Sequence, residues 1–167
     1  MDGLDKYQLG ETDELLRITT RDDCQDLSLA LARQAKRSLA IFSYDLEPAL
    51  YNSPGFYDAA RDVIGSDPNA SIRILVYDIS RTISNGHRLL DLSRRLSSCV
   101  QIRKLTRKYH HAFLVADNIG VLDRRRAERY EATANFNSPS WANNLLHFFN
   151  VAWDQSSRSS EVLSLNI

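Results

Sequence analysis

"KYHHAFLVADNIGVL", residues 108–122, is the stretch on which the fold turns. Two histidines, His110 and His111, stand at the entry of an apolar run, and Asp117 and Gly120 close it. The run is short and bounded by turn formers, which reads as a buried strand. Behind it, "GVLDRR" and "RYEATANF" read as two further strands, so this half of the chain is expected to form a meander. Ahead of it, "SLAIFSYDL" (38–46), "SIRILVYD" (71–78) and "VQIRKL" (100–105) read as strands set between helical patterns. Parallel strands need crossovers of a dozen or more residues, and these helices supply them.

The helices carry their own signals. In "TTRDDCQDLSLALARQAKR", Thr20 and Asp23 make a start resembling a capping box, and Leu27, Leu31 and Ala35 mark one face. "NSPGFYDAARDVIGSDPNA" opens on Asn52, Ser53 and Pro54 and ends at Gly65 and Pro68. "SNGHRLLDLSRRLSS" aligns Leu89, Leu92 and Leu96. "SPSWANNLLHFFNVAWDQS" begins with Ser138 as N-cap and Pro139 behind it, and Trp141, Leu145, Phe148 and Ala152 form its stripe. The tail "EVLSLNI" is one more strand or a loose end. The expected class is α/β, a mixed β-sheet flanked by helices.

The 167 residues show no repeat and no linker, which favours one domain over 20–167 after an acidic extension, 1–19. Hydrophobic residues make up 43% and charged residues 25%, an ordinary soluble composition. No run of ~18 apolar residues points to a membrane span, and the acidic N-terminus has no apolar core of a signal peptide. Cys24 and Cys99 lack motif spacing and read as reduced core residues, so a cytoplasmic chain is expected. Net charge is zero, which excludes a generic polyanion binder, but the charge is uneven. Residues 1–50 hold ten acidic and six basic side chains, while 101–130 hold eight basic and three acidic. That basic segment is either a solvated face or a local field able to hold an anion.

From His110 the pattern runs His110-x-Ala112-x-x-x-x-Asp117. It resembles the H-x-K-x-x-x-x-D motif of the phospholipase D-like superfamily, with Ala112 where the lysine belongs. The β-α-β-α-β half ahead of it, Glu131 behind it in "RYEATANF", and Phe149 and Trp153 filling an F-x-x-x-W pattern on the last helix resemble that family too. The resemblance covers most of residues 20–155 and implies a phospholipase D-like sandwich. It also implies metal-independent phosphoryl transfer without a cofactor: one histidine attacks phosphorus, a second protonates the leaving group, and lysines hold the phosphoryl oxygens. A chain with one motif takes its second histidine from a twofold mate, so a homodimer is implied. His110, Asp117 and Glu131 would be the catalytic relics.

The departures weigh against turnover. Side chains alternate on a strand, so position 112 shares a face with His110 and should carry the phosphate cation, and alanine cannot. The G-S-x-N segment that the family places after the aspartate is missing from "NIGVLDRRRAERYE". Each loss would cost on the order of a few kcal/mol of barrier. Arg124, Arg125 and Arg126 are the candidate replacements, since arginine suits bidentate phosphate contact, or else they form a solvent-facing basic turn.

A second candidate is "DISRTISNGHRLL": Asp78 ends a strand, and Gly86, His87 and Arg88 open a helix whose free N–H groups can bind an anion. Tyr44 at the end of the first strand can line the same cleft. Adjacent histidines on a strand diverge, so no metal site is expected from His110, His111 and Asp117. The expectation is a non-catalytic binding or adaptor domain for a phosphate-bearing ligand such as nucleic acid. The alternatives are a divergent phosphodiesterase or nuclease using His110 across a homodimer, and a protein-interaction domain whose partner sits on the Trp141–Trp153 helix or the acidic N-terminus.

Overall fold

The computed structural model describes residues 1–156, and the "EVLSLNI" tail lies outside the described residues. Seven strands form one sheet in the order β1-β7-β6-β5-β2-β3-β4. They are β1 (Leu16–Ile18), β2 (Ser38–Ser43), β3 (Ser71–Val76), β4 (Val100–Lys104), β5 (Ala112–Ala116), β6 (Gly120–Arg124) and β7 (Ala132–Asn135). The three strands β2, β3 and β4 pair in parallel, and the meander β5, β6 and β7 is antiparallel throughout. The seam between the halves is the antiparallel pairing of β2 with β5. The sheet is therefore mixed, as the alternation of crossovers and hairpins dictates.

The helices α1 (Arg21–Gln34), α3 (Pro54–Ser66) and α5 (Arg88–Arg95) lie on one face. Thr20 Oγ1 accepts the Asp23 N–H at 3.2 Å and Ser53 Oγ accepts the Phe56 N–H at 3.0 Å, so both side-chain caps close as their sequences suggest. Leu27, Leu31, Phe56, Val63 and Leu89 pack there against Ile41 and Ile74. On the other face α6 (Pro139–Gln155) packs mainly across β2, β5 and β6. Its Phe149 and Trp153 stack at 5.8 Å over Phe42, Phe113 and Val115. Ser138 is its N-cap by position, with no side-chain cap bond, and Phe148 of the expected stripe is left exposed. Two short helices, α2 (Pro48–Tyr51) and α4 (Ile79–Ser84), occupy stretches that carry no helical reading above.

The first nineteen residues are not set apart from the rest. Leu16 and Ile18 of β1 pair with β7, and Tyr7 stacks on Phe136 in the core. Leu9 lies over Gly120, where a Cβ would come within 2.4 Å of Leu9 Cδ1 and 2.9 Å of Leu31 Cδ2, so the packing there requires glycine. Cys24 is buried, Cys99 is half-buried, and both are free. No helix among the described residues is long and apolar enough to cross a membrane.

Candidate functional site

His110 is exposed just before β5 and lines a cleft of about 520 Å³. The other walls are Tyr44 and Asp45 after β2, Glu47 to Ala49 at α2, Lys108 and Tyr109, and Ala127, Glu128 and Tyr130 from the loop after β6. His110 is fixed at its backbone, whose carbonyl accepts the Ala127 N–H at 2.6 Å. Lys108 lies over the Tyr44 ring at 5.5 Å, so one long cation and an aromatic ring already occupy each other at the rim.

The floor of the cleft explains the lost lysine. Ala112 and Arg124 are register partners in the β5–β6 ladder, so their side chains leave the same face of the sheet. Arg124 extends beneath the cleft, where only 3% of its side chain is accessible. Its guanidinium pairs bidentately with Glu47, Nη2 to Oε1 at 3.0 Å and Nη1 to Oε2, and lies over the Tyr130 ring at 5.2 Å. It also donates to the Ala127 carbonyl at 2.6 Å and to the Arg129 carbonyl at 2.7 Å, which curls the loop 125–131 around it. Burial alone would lower the Arg124 pKa, but the Glu47 carboxylate overrides that and holds it above the usual value. Arg124 therefore does not serve as a phosphate ligand: every direction of its fork is committed inside the protein.

Asp117 is not beside His110. It sits at the opposite end of β5, roughly 20 Å away by strand rise, in the left-handed conformation with φ 53. With Asn118, φ 58, it forms the centre of the three-residue connection, 117–119, that joins β5 to β6. Its carboxylate accepts the N–H groups of Lys36 at 2.9 Å, Arg37 at 2.8 Å and Ser38 at 3.0 Å, tying the meander to the start of β2. In this position the carboxylate ties the backbone and does not face His110.

The second candidate cluster also disperses. His87 is fully buried, its Nε2–H donates to the Leu46 carbonyl at 2.7 Å, and its Nδ1 accepts the Leu89 N–H at 3.1 Å. Burial pushes its pKa down to about 4, against a smaller opposing effect of the Leu46 carbonyl, so it is a neutral cap and not an anion ligand. The Arg88 N–H is taken by Asn52 Oδ1 at 2.9 Å, and its guanidinium by the Asn52 carbonyl at 2.9 Å. Asp78 caps α4 through the Arg81 N–H at 3.0 Å. Of these expected ligand residues, Tyr44 alone lines the His110 cleft.

Arg125, Arg126 and Glu131 face elsewhere. They line a groove of about 850 Å³ along β1 and β7, together with Arg17, Arg129 and Trp141. Glu131 lies exposed, immediately before β7, 3.9 Å from Arg129, which places it in an ion pair rather than beside His110. The sequence reading missed a cluster at the inner wall of this groove. His111 pairs with Asp123, whose other oxygen accepts the Trp141 indole N–H at 3.2 Å. Alternation could have found it, because His111, Phe113 and Asp123 share the α6 face of the ladder. Glu47 had no such signal. Among the described residues, no group of three or more His, Cys, Asp or Glu side chains is placed to hold a metal ion.

A family model described as a domain of unknown function, DUF7931, matches residues 20–165. No curated protein matches the chain. Among solved structures, TrmBL2, an archaeal chromatin protein described with a novel mode of DNA binding, superposes with a TM-score of 0.64 at 13% identity, over 89% of this chain and 55% of its own. Nuc from Salmonella typhimurium, a phospholipase D family member, gives 0.62 at 15% identity over 87% of this chain and 97% of its own. NucT from Helicobacter pylori gives 0.57 at 10% identity over 88% and 98%. The chain thus spans about half of TrmBL2 and nearly all of the other two. These likenesses establish a phospholipase D-like fold, a mixed sheet flanked by helices.

Proposed function

Because the chain belongs to the DUF7931 family and has the phospholipase D-like fold, we propose that it forms a non-catalytic binding domain for a phosphate-bearing ligand such as nucleic acid, with residues 1–19 part of the same fold. The observation that carries this reading is the buried Arg124–Glu47 pair. It fills the side of the ladder where the resemblance calls for a phosphate-binding lysine, and it leaves no net charge there. Around His110 the cleft offers Lys108 against Glu128, with Asp45 and Glu47 already paired to Arg81 and Arg124. A developing phosphorane would meet no surplus of cation, and loss of the transition-state cation costs on the order of a few kcal/mol. The exposed arginines past β6 supply the affinity for phosphate instead.

Two measurements test this. Hydrolysis of bis(p-nitrophenyl) phosphate in excess EDTA should not differ between the native protein and His110→Ala. A metal-independent rate that disappears in the variant would establish the phosphodiesterase reading in its place. Oligonucleotide binding should weaken as salt rises, and absence of binding at low salt would remove the ligand reading. The homodimer implied by the single motif belongs to the same proposal. Phe148, 37% exposed and 5.5 Å from the Tyr109 ring, is the apolar group a second copy would cover beside the cleft, and sedimentation at increasing protein concentration checks it.

A further inference from the structure

We infer that a nucleic-acid strand lies along the arginine groove beside β1, with its phosphates on Arg17, Arg125 and Arg126 and a base against Trp141, and does not enter the His110 cleft. This rests on the nucleic-acid reading above and assigns it a place that the motif does not mark.

The charge balance of the groove is the first ground. Its two carboxylates are already engaged: Asp123 is hydrogen-bonded to His111 and the Trp141 indole, and Glu131 faces Arg129. Arg17, Arg125 and Arg126 are exposed, and their guanidinium groups make no hydrogen bond or ion pair with the described residues. Three free cations thus remain on one groove. In the cleft, by contrast, the guanidinium beneath is neutralised, and among the described residues Lys108 is the lone lining cation besides any charge on His110.

The second ground is placement. Arg17 is register partner to Thr133 and rises from β1, whereas Arg125 and Arg126 come from the loop that Arg124 curls. The free cations therefore stand on two walls of a groove of about 850 Å³, where successive phosphates of one backbone crossing between the walls can meet them. The third ground is Trp141. It is half-buried, and the bond from its indole N–H to Asp123 fixes the ring at the groove wall. A fixed aromatic ring beside free arginines is the pairing that binds unpaired bases with little regard to sequence.

The test is fluorescence anisotropy with a labelled single-stranded oligonucleotide of about 12 residues, over salt from about 50 to about 300 mM. Native protein is compared with Arg17→Gln/Arg125→Gln/Arg126→Gln and with Lys108→Gln/His110→Gln. All five positions are exposed, so both variants should keep the native circular dichroism. The groove variant should bind more weakly, with a salt slope shallower by about 2, and the cleft variant should bind as the native protein does. Oligonucleotide should quench tryptophan emission in the native protein and not in Trp141→Phe. Loss of binding in the cleft variant, or a native slope in the groove variant, overturns the groove and leaves the nucleic-acid reading standing. Binding without Trp141 quenching, or duplex bound more tightly than single strand, overturns the stacked base. No binding by the native protein removes the nucleic-acid reading itself, and this inference with it.

Discussion

The cleft at His110 and the groove at Trp141 share one wall, the loop 125–131, and differ in what that wall leaves free. Ala127, Glu128 and Tyr130 turn toward the cleft, while Arg125, Arg126 and Arg129 turn toward the groove. The cleft keeps the motif histidine over a neutralised cation. The groove has no part of the motif and has the unmatched charge. The difference teaches that a remnant motif marks where chemistry belongs in a fold, while the partners of each charge decide where an anion can sit in this chain. Three adjacent arginines illustrate it: Arg124 ends a strand and is committed to Glu47, and the next two stand in solvent.

The severest way to break this contrast is Glu47→Ala. It leaves the Arg124 guanidinium buried without its carboxylate, and urea unfolding should show a loss of about 3–5 kcal/mol. The loop should loosen on both its sides. Stability within about 0.5 kcal/mol of native would mean that the pair does not organise the wall. Acid comes next and reaches the cleft side through His87, which holds the Leu46 carbonyl beside Glu47. The unfolded histidine titrates near 6.5 and the folded one at about 4, so the unfolded chain takes up the proton first. Stability is full above about pH 6.5 and falls as pH drops toward 4, by about 3 kcal/mol from this group. Urea midpoints at pH 7 and pH 4.5 check this, and His87→Gln should flatten that part of the profile.

Asp117→Ala should cost about 2 kcal/mol, since three backbone donors lose their acceptor and the turn needs a positive φ. Oligonucleotide binding by that variant should remain native, and a selective loss of binding would return Asp117 to a functional role. The smallest effect sharpens the contrast most directly. His110→Ala should leave the unfolding free energy within about 0.5 kcal/mol of native, read from urea unfolding, because its side chain is exposed.

What could be read from the chain follows the range of the forces involved. Periodicity and caps act within a few residues, so Thr20, Ser53 and the parallel and meander halves were legible, and with them the fold class. β1 was not, because three residues are too short to show alternation. Asp78 holds a local helix-start signal for α4, which its place at the end of an apolar strand obscures in the sequence. The site was harder. Nothing within reach of Arg124 announces Glu47, 77 residues away, and nothing between Gly86 and Arg88 says that His87 is buried. Register would have helped: Ala112 leaves space opposite Arg124, and a small residue facing a large one on a covered sheet is a sign that the large one turns inward.

The edge strand β1 has a practical consequence for anyone shortening this protein. The matched family region opens at residue 20, two residues past the end of β1. A protein cut there would bare the backbone donors and acceptors of Ala132–Asn135, along with the floor under Leu9. Such an uncovered edge is a template for strand addition from a neighbouring molecule, and the shortened chain should self-associate into larger species where the full chain stays dispersed.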